Sequence, residues 1–216
     1  MSILLKESIK INVENLKKIS DLDLADLCNI TEQAIHAGGG FGWLSVPPRN
    51  ILKKYWNGLI LINYKKLLVG RLNGVIAGAL QLSFQPPNNE AQKNISNIQS
   101  HFVAPWARGY GLAKAMVDFA ISSSKENNAK CLQLDIRETQ EAAIHLFESK
   151  GFIKWGENPY YAFVNGKFIK GLYFYKRQFI PRWKLLEIKL ISQKMDYMFC
   201  DDELYKSDDE YLLPYD

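Results

Sequence analysis

Residues 107–117 read ARGYGLAKAMV, an arginine followed by two glycines two positions apart and then by small and apolar residues at helical spacing. A glycine inside a helix costs roughly 1 kcal/mol relative to alanine. The presence of Gly109 and Gly111 at the start of a predicted helix therefore needs an explanation. One reason is a tight turn into the helix. The other is the close approach of an anion, because helix N-termini attract anions through free N–H groups and the macrodipole.

The sequence around this stretch predicts alternating strands and helices. Apolar residues from Leu112 to Ala120 fall on one face of a helix expected from Gly109 to about Lys125. Strands expected at 95–103 and 131–136 flank it, which predicts a parallel strand–helix–strand unit. The other expected elements are a strand at 9–13, helices at 20–36 (capped by Ser20), 50–56 and 140–150 (with Thr139 as N-cap), and strand pairs around the turns Asn73-Gly74 and Asn165-Gly166.

This element order predicts a mixed sheet covered by helices, followed by a segment outside the pattern. With 216 residues, 47% of them apolar, the chain can bury the core of one large domain. We therefore expect a domain at 1–181 and a C-terminal extension at 182–216 that ends in an acidic tail.

Several classes of protein are excluded by composition. No apolar run approaches the roughly 20 residues of a membrane span, and the apolar segment at the N-terminus is too short for a secretory signal. Cys28, Cys131 and Cys200 lie far apart without metal-ligand spacing, so we expect no disulfide framework, no metal site and a cytoplasmic protein.

The net charge of +4 hides an asymmetry between the two ends of the chain. Residues 201–216 carry a net charge of −6, so the first 200 residues carry +10. A basic body suits a polyanionic ligand, either a phosphorylated cofactor or a nucleic acid. The lysines are scattered and no nucleic-acid-binding motif is present, so we expect no nucleic-acid partner.

Two familiar phosphate-binding loops do not fit residues 108–114. The chain has no G-x-x-x-x-G-K-[ST], and RGYGLAKA is not G-x-G-x-x-G. It has instead Arg-x-x-Gly-x-Ala after a strand that ends in FVAP. In this context the main chain from Gly109 to Lys114 can turn successive N–H groups inward as an anion-binding nest, with Arg108 adding a positive charge.

The stretch around the two glycines reads Phe102-Val103-Ala104-Pro105, followed by Arg108-Gly109-Tyr110-Gly111-Leu112-Ala113. It resembles the acetyl-CoA motif Q/R-x-x-G-x-G/A of the GNAT superfamily of N-acetyltransferases. Residues 134–152, LDIRETQEAAIHLFESKGF, are similar to the second signature of that family, which ends in A-I-x-L-Y-x-x-x-G-F. The resemblance spans roughly residues 3–176. Within the superfamily, three segments resemble the tabtoxin-resistance type of small-molecule acetyltransferase: GGGFGWL at 38–44, Tyr55-Trp56, and 159–176.

The resemblance implies an α/β (α+β) fold whose mixed, mostly antiparallel sheet has a central splayed parallel strand pair and is flanked by helices. It also implies that acetyl-CoA lies between the splayed strands, its pantetheine on the backbone at 102–103 and its pyrophosphate on the N–H groups of 109–114. The residues expected to bind this co-substrate are Phe102, Val103, Arg108, Gly109, Tyr110, Gly111, Leu112, Ala113, Lys114, Gln140 and Phe147.

Two of these positions depart from the family pattern. Gln140 stands where the family commonly has an asparagine before the final helix, and it keeps the amide with a longer reach. Phe147 stands where the family commonly has a tyrosine that acts as the general acid, and phenylalanine has no proton to donate. Because a thiol has a pKa near 8.5, the thiolate can leave without full protonation. Tyr160, Tyr161, Tyr110 or water are candidates to replace the missing hydroxyl.

Two side chains are candidates for the general base in acetyl transfer. Asp135 occupies the position where some family members place a glutamate base, and the alternative is a structural carboxylate paired with Arg137. His101 is expected to share a polar strand face with Asn97 and Gln99, and its ordinary pKa suits a base near neutral pH, although a structural role is the alternative.

The expected reaction is direct transfer of acetyl from acetyl-CoA to a primary amine in a ternary complex. We expect a small-molecule acceptor, bound near the 38–48 loop and the aromatic residues His36, Phe41, Trp43 and Trp56. Protein N-terminal or lysine acetylation, and a non-catalytic acetyl-CoA-binding regulatory module, remain open as alternatives. We expect no membrane partner and either a monomer or a homodimer.

Overall fold

The computed structural model describes residues 9–38 and 42–178, and within these ranges seven strands form a single sheet. The strands are β1 (Ile11–Asn15), β2 (Lys65–Leu72), β3 (Val75–Ser83), β4 (Ile95–Val103), β5 (Cys131–Arg137), β6 (Ile153–Val164) and β7 (Lys167–Arg177). The helices are α1 (Asp21–His36), α2 (Arg49–Leu59), α3 (Leu112–Glu126) and α4 (Glu141–Ser149), with short 3₁₀ turns at Glu90–Gln92 and Pro105–Ala107.

The strands follow the order β1-β2-β3-β4-β5-β7-β6 across the sheet. Every neighbouring pair is antiparallel except β4 and β5, which are parallel and are joined through α3. The predicted element order and fold class, a mixed and mostly antiparallel sheet with a central parallel pair and flanking helices, are confirmed.

Short local signals in the sequence account for several element boundaries. The Ser20 side chain caps α1 by accepting a hydrogen bond from the Asp23 N–H at 3.1 Å, as predicted. Both Asn-Gly pairs form tight hairpin turns with positive φ at each residue: 51° and 90° at Asn73-Gly74, and 50° and 78° at Asn165-Gly166.

Several boundaries differ from the sequence prediction. Strand β1 is Ile11–Asn15 instead of 9–13, and α2 is Arg49–Leu59 instead of 50–56. Helix α3 begins at Leu112, three residues later than predicted, because Gly109 and Gly111 have φ values of +84° and +82° that no helix contains. The N-cap of α4 is Gln140 instead of Thr139, and no side chain caps it. Strand β6 begins at Ile153, earlier than the sequence pattern indicates. Two irregularities in its pairing with β7 interrupt the alternation of its first half, so the pattern did not predict this part of the strand.

Two glycines allow α3 to lie directly on the sheet. A Cβ on Gly70 would lie 2.7 Å from Leu112 Cδ1 and from Met116 Sδ, two side chains on the buried face of α3. A Cβ on Gly78 would lie 2.9 Å from the main-chain oxygen of Phe102 at the end of β4. The position of α3, and with it the turn at its N-terminus, therefore depends on missing side chains in β2 and β3.

The proposed C-terminal extension at 182–216 lies outside the described residues. No helix within 9–38 and 42–178 is long and apolar enough to cross a membrane.

We predict that Gly78→Ala lowers the free energy of unfolding by about 1–3 kcal/mol, because the carbonyl of Phe102 cannot yield without shifting β4. The matched control is Gly58→Ala in α2, where a Cβ meets no atom within 4 Å and helix propensity favours alanine by up to about 1 kcal/mol. Urea unfolding of both variants measures the difference. Equal stability of the two variants would contradict this account of the packing.

Candidate active site

The site begins where the parallel pair β4–β5 stops pairing. The two strands pair at three positions, from Ile95–Cys131 to Asn97–Gln133. Both strands continue beyond this point, β4 to Val103 and β5 to Arg137, without a further pair between them. The opened strands therefore leave a gap in the middle of the sheet.

A cavity of about 430 Å³ fills this gap. Its volume lies within the usual range for small-molecule sites. Strand β4 contributes residues 98–101 and β5 contributes residues 134–137. The other lining residues come from α2, β2, β3, α4 with its N-cap, and β6, and they are Tyr55, Lys65, Gln81, Gln140, Ala143, Phe147 and Tyr161.

A bulge in β4 shapes one wall of this cavity. Phe102 pairs with Ala79 and Gln99 pairs with Gln81, so two residues of β4 lie opposite one residue of β3. Within the bulge Ser100 has a φ of +48°, which is uncommon for a residue with a side chain. The bulge interrupts the alternation that the sequence predicted for Asn97, Gln99 and His101. Gln99 and His101 line the cavity and Asn97 does not.

Asp135 and Tyr161 form a hydrogen-bonded pair in the cavity. The Tyr161 hydroxyl donates to Asp135 Oδ2. The ring of Tyr161 lies directly over Gly171, where any Cβ would overlap it. Burial, followed by the bond to Asp135, raises the pKa of Tyr161 well above its ordinary value. Tyr161 is therefore a protonated donor that holds the carboxylate in place.

His101 is a neutral side chain with a free nitrogen. Its ring packs edge-on against Phe147 with a centroid separation of 5.8 Å. Its Nε2 is buried and meets no hydrogen-bond partner among the residues that the structure describes. Burial lowers the pKa of His101 to about 4, so the imidazole is uncharged at neutral pH. A group with this pKa is a weaker base than the sequence suggested.

The turn that leads into α3 presents a row of main-chain amides. Within 9–38 and 42–178, no protein atom accepts a hydrogen bond from the N–H groups of residues 109–114. The first helical bond at this end runs from the Ala115 N–H to the Gly111 oxygen at 3.0 Å. A Cβ on Gly109 or Gly111 would meet no atom within 4 Å, so the space around the turn is open. The arrangement fits a diphosphate.

Only some of the remaining predicted site residues line the cavity, and Phe102, Val103, Leu112 and Ala113 do not. Gln140 and Phe147 line the cavity, where the Gln140 amide donates to the Gly38 oxygen at 3.0 Å and Phe147 is 3% exposed. Arg108, Tyr110 and Lys114 are exposed at or beside the turn before α3. Tyr160 is 71% exposed, packs against Phe168 and does not line the cavity.

Part of the cavity wall is formed by residues that the sequence did not predict. Tyr55, Lys65 and Gln81 line it. Tyr55 belongs to the Tyr-Trp segment of the family resemblance but was not predicted to line the site, and the neighbours of Lys65 and Gln81 carry no motif. Of the aromatic residues expected there, Trp56 is fully buried and donates to Thr31 Oγ1 at 3.2 Å, so it belongs to the core. His36 and Trp43 do not line the cavity, and Phe41 lies outside the described residues.

Comparisons with known proteins agree with this geometry. Residues 35–152 match the acetyltransferase (GNAT) family. An uncharacterised N-acetyltransferase in the hisH–hisA intergenic region of Azospirillum brasilense is 42% identical over 130 residues, which cover 60% of this chain and 77% of that protein. The chain belongs to the acetyltransferase (GNAT) family. It is accordingly an N-acetyltransferase that uses acetyl-CoA.

Solved structures share the fold at low sequence identity. The ribosomal-protein-alanine N-acetyltransferase of Brucella melitensis is 20% identical, with a TM-score of 0.66 over 77% of this chain and 99% of that chain. A Salmonella typhimurium protein solved with its cofactor acetyl-CoA is 16% identical, with a TM-score of 0.64 over 77% of this chain and 93% of that chain. Among the described residues of the present chain, no group of three or more His, Cys, Asp or Glu could hold a metal ion.

We predict that His101 makes folding stability depend on pH between about 6.5 and 4. In this window the unfolded chain binds a proton that the folded protein excludes, so the free energy of unfolding falls as the pH falls, by up to about 3 kcal/mol. His101→Gln removes this dependence, and His145→Gln, which changes an exposed histidine on α4, keeps it. Chemical unfolding at each pH measures the slopes. Parallel pH profiles for wild type and His101→Gln would contradict the prediction.

Proposed function

We propose that this protein transfers the acetyl group of acetyl-CoA to a primary amine of a small molecule by direct attack in a ternary complex. The observation that carries the proposal is the cavity between the opened strands β4 and β5, with the Asp135 carboxylate in its wall. The cavity volume suits a small acceptor. The resemblance of 38–44 and 159–176 to the tabtoxin-resistance type of acetyltransferase favours the same class of acceptor.

The turn before α3 and the open edge of β4 are the proposed binding surface for acetyl-CoA. The N–H groups of residues 109–114 bind the diphosphate, and Arg108 adds a positive charge beside them. Strand β4 forms no further pair with β5 beyond Asn97. As the family resemblance implies, the proposal assigns to the main chain at 102–103 the binding of the pantetheine arm and the polarisation of the thioester carbonyl. Bound acetyl-CoA supplies an acetyl group activated as a thioester.

Asp135 is the proposed proton acceptor. In the reaction a bond forms between the amine nitrogen and the acetyl carbon, and the C–S bond breaks with its electron pair going to sulfur. The nitrogen becomes strongly acidic as the new bond forms, so a carboxylate within hydrogen-bond reach can take its proton. Asp135 Oδ2 accepts from Tyr161, which leaves Oδ1 for the amine.

Tyr161 acts as a positioning residue for Asp135. Its raised pKa makes the phenol a much weaker acid than a thiol, whose pKa is near 8.5. Proton transfer from Tyr161 to the leaving sulfur is therefore unfavourable, and the sulfur takes its proton from solvent. The lack of a hydroxyl on Phe147 is consistent with a leaving group that needs no protein acid.

The phenylalanine at position 147 motivates a second candidate function. Because Phe147 cannot donate a proton where the family commonly has a tyrosine, the chain is also suited to bind acetyl-CoA without turnover as a regulatory module. Steady release of free thiol from acetyl-CoA in the presence of a panel of small primary amines distinguishes an enzyme from such a module. Binding of acetyl-CoA with no release would favour the module.

We predict that Gly111→Val raises the Kd for acetyl-CoA at least tenfold, because a β-branched residue does not hold a φ of +82° and the amides before α3 are displaced. Gly166→Val is the matched control, since Gly166 has a similar φ of +78° in the β6–β7 turn, away from the cavity. Isothermal titration calorimetry with acetyl-CoA measures both variants. An unchanged affinity for Gly111→Val would count against the diphosphate site.

We predict that Asp135→Asn lowers kcat about 100-fold or more while the Kd for acetyl-CoA stays within about twofold, because the amide cannot accept the proton of the amine. Asp118→Asn is the control, since Asp118 lies on α3 in an exposed ion pair with Lys150. Steady-state thiol release gives kcat for both. Equal activity of Asp135→Asn and Asp118→Asn would exclude Asp135 as the base.

A further inference from the structure

Hydrogen bonds in one wall of the cavity occupy two acceptors, the Gln99 amide oxygen and the Tyr55 hydroxyl oxygen, and leave donors on the same side chains. Lys65 Nζ donates to Gln99 Oε1 at 3.3 Å, which occupies the amide oxygen and leaves the amide NH₂ of Gln99. The Gln81 amide donates to the Tyr55 hydroxyl oxygen, which leaves the hydroxyl proton of Tyr55. This group of Lys65, Gln99, Tyr55 and Gln81, here called the donor wall, carries one positive charge.

No carboxylate neutralises the ammonium group of the donor wall. Among the described residues, no Asp or Glu lies within 4.0 Å of Lys65 Nζ. The lining of the cavity contains Lys65 and Arg137 as cations and Asp135 as its single carboxylate. With a neutral His101, Lys65 is the cation of the donor wall, and Asp135 lies in the opposite wall of the same cavity.

The strand register puts the donor wall and Asp135 on one face of the sheet, on opposite sides of the gap. Gln99 lies two residues beyond Asn97 in β4, and Asp135 lies two residues beyond Gln133 in β5. Asn97 and Gln133 are themselves paired, so Gln99 and Asp135 follow the last pair at the same level. Gln81 of β3 pairs with Gln99 of β4, so this face of the sheet continues into β3. There Gln81 bonds to Tyr55, and Gln99 bonds to Lys65.

We propose that the acetyl acceptor is an amino acid in the broad sense, a small molecule that carries an anionic group in addition to its primary amine. The inference rests on the proposed function. The amine is held at Asp135, and the anionic group, a carboxylate or another oxyanion, is held by the Lys65 ammonium with the remaining donors of Gln99 and Tyr55. A diamine or a simple alkylamine leaves the ammonium group of Lys65 without a counterion.

The test compares α-, β- and γ-amino carboxylic acids, each with its own carboxamide, as acceptors in a thiol-release assay with acetyl-CoA. The carboxamide keeps the size of the molecule and removes the charge. It is also the less basic amine of each pair, so a preference for the acid does not come from a larger fraction of free amine. We expect kcat/KM to be at least tenfold higher for the acid of the best pair.

Lys65→Met tests the assignment of the anion site, and Lys54→Met on α2, which does not line the cavity, is its control. We expect Lys65→Met to lower kcat/KM for the acid at least tenfold, through KM, and to leave kcat/KM for the carboxamide and the Kd for acetyl-CoA within about twofold. Lys54→Met is expected to change none of these values.

The outcomes separate this inference from the proposed function. Faster thiol release with carboxamides than with acids, or an equal loss for both series in Lys65→Met, would overturn the anion site and leave the acetyltransferase activity standing. No thiol release with either series, from protein that releases thiol with other small primary amines, would overturn this inference alone. No release with any small primary amine, from protein that binds acetyl-CoA, would overturn the proposed small-molecule activity as well.

Discussion

The early end of the pairing between β4 and β5 is the constraint on which the site depends. A parallel pair in the middle of a sheet normally keeps its hydrogen bonds along its length, but here pairing stops after Asn97–Gln133. The gap exposes a main-chain edge of β4 and brings Asp135 and the donor wall to the two sides of one cavity. His101, beside the bulge at Ser100, lines the same cavity. The proposed pantetheine site, base and acceptor site thus share one structural cause.

The two glycines before α3 complement this gap. Their positive φ values delay the helix to Leu112 and leave the amides of 109–114 without protein acceptors among the described residues. Gly70 and Gly78 then allow α3 to lie against the sheet, so that these amides begin beside the end of β4. Four glycines therefore determine where an anion can bind, two through backbone conformation and two through the room they leave for packing.

Features encoded by neighbouring residues were predictable from the sequence, and features that depend on strand register were not. The Ser20 cap, both Asn-Gly turns and the apolar face of α3 are local signals, and the element order followed from them. Nothing in the sequence marks where β4 and β5 stop pairing, so the alternation of Asn97, Gln99 and His101 did not show that Asn97, in the last pair, lies outside the cavity. The irregular pairing of β6 likewise puts Tyr161 in the cavity and leaves Tyr160 outside it, and Lys65 reaches the site from a distant strand.

The proposed activity depends on main-chain amides at the start of α3 that bind the diphosphate of coenzyme A. A titration of ¹⁵N-labelled protein with coenzyme A, followed by ¹H–¹⁵N NMR, tests this binding at the amides themselves. We expect the amide signals of residues 109–114 to show the largest shifts, and inorganic pyrophosphate to shift the same signals more weakly. Saturating coenzyme A that leaves these signals in place while moving amides elsewhere would contradict this expectation.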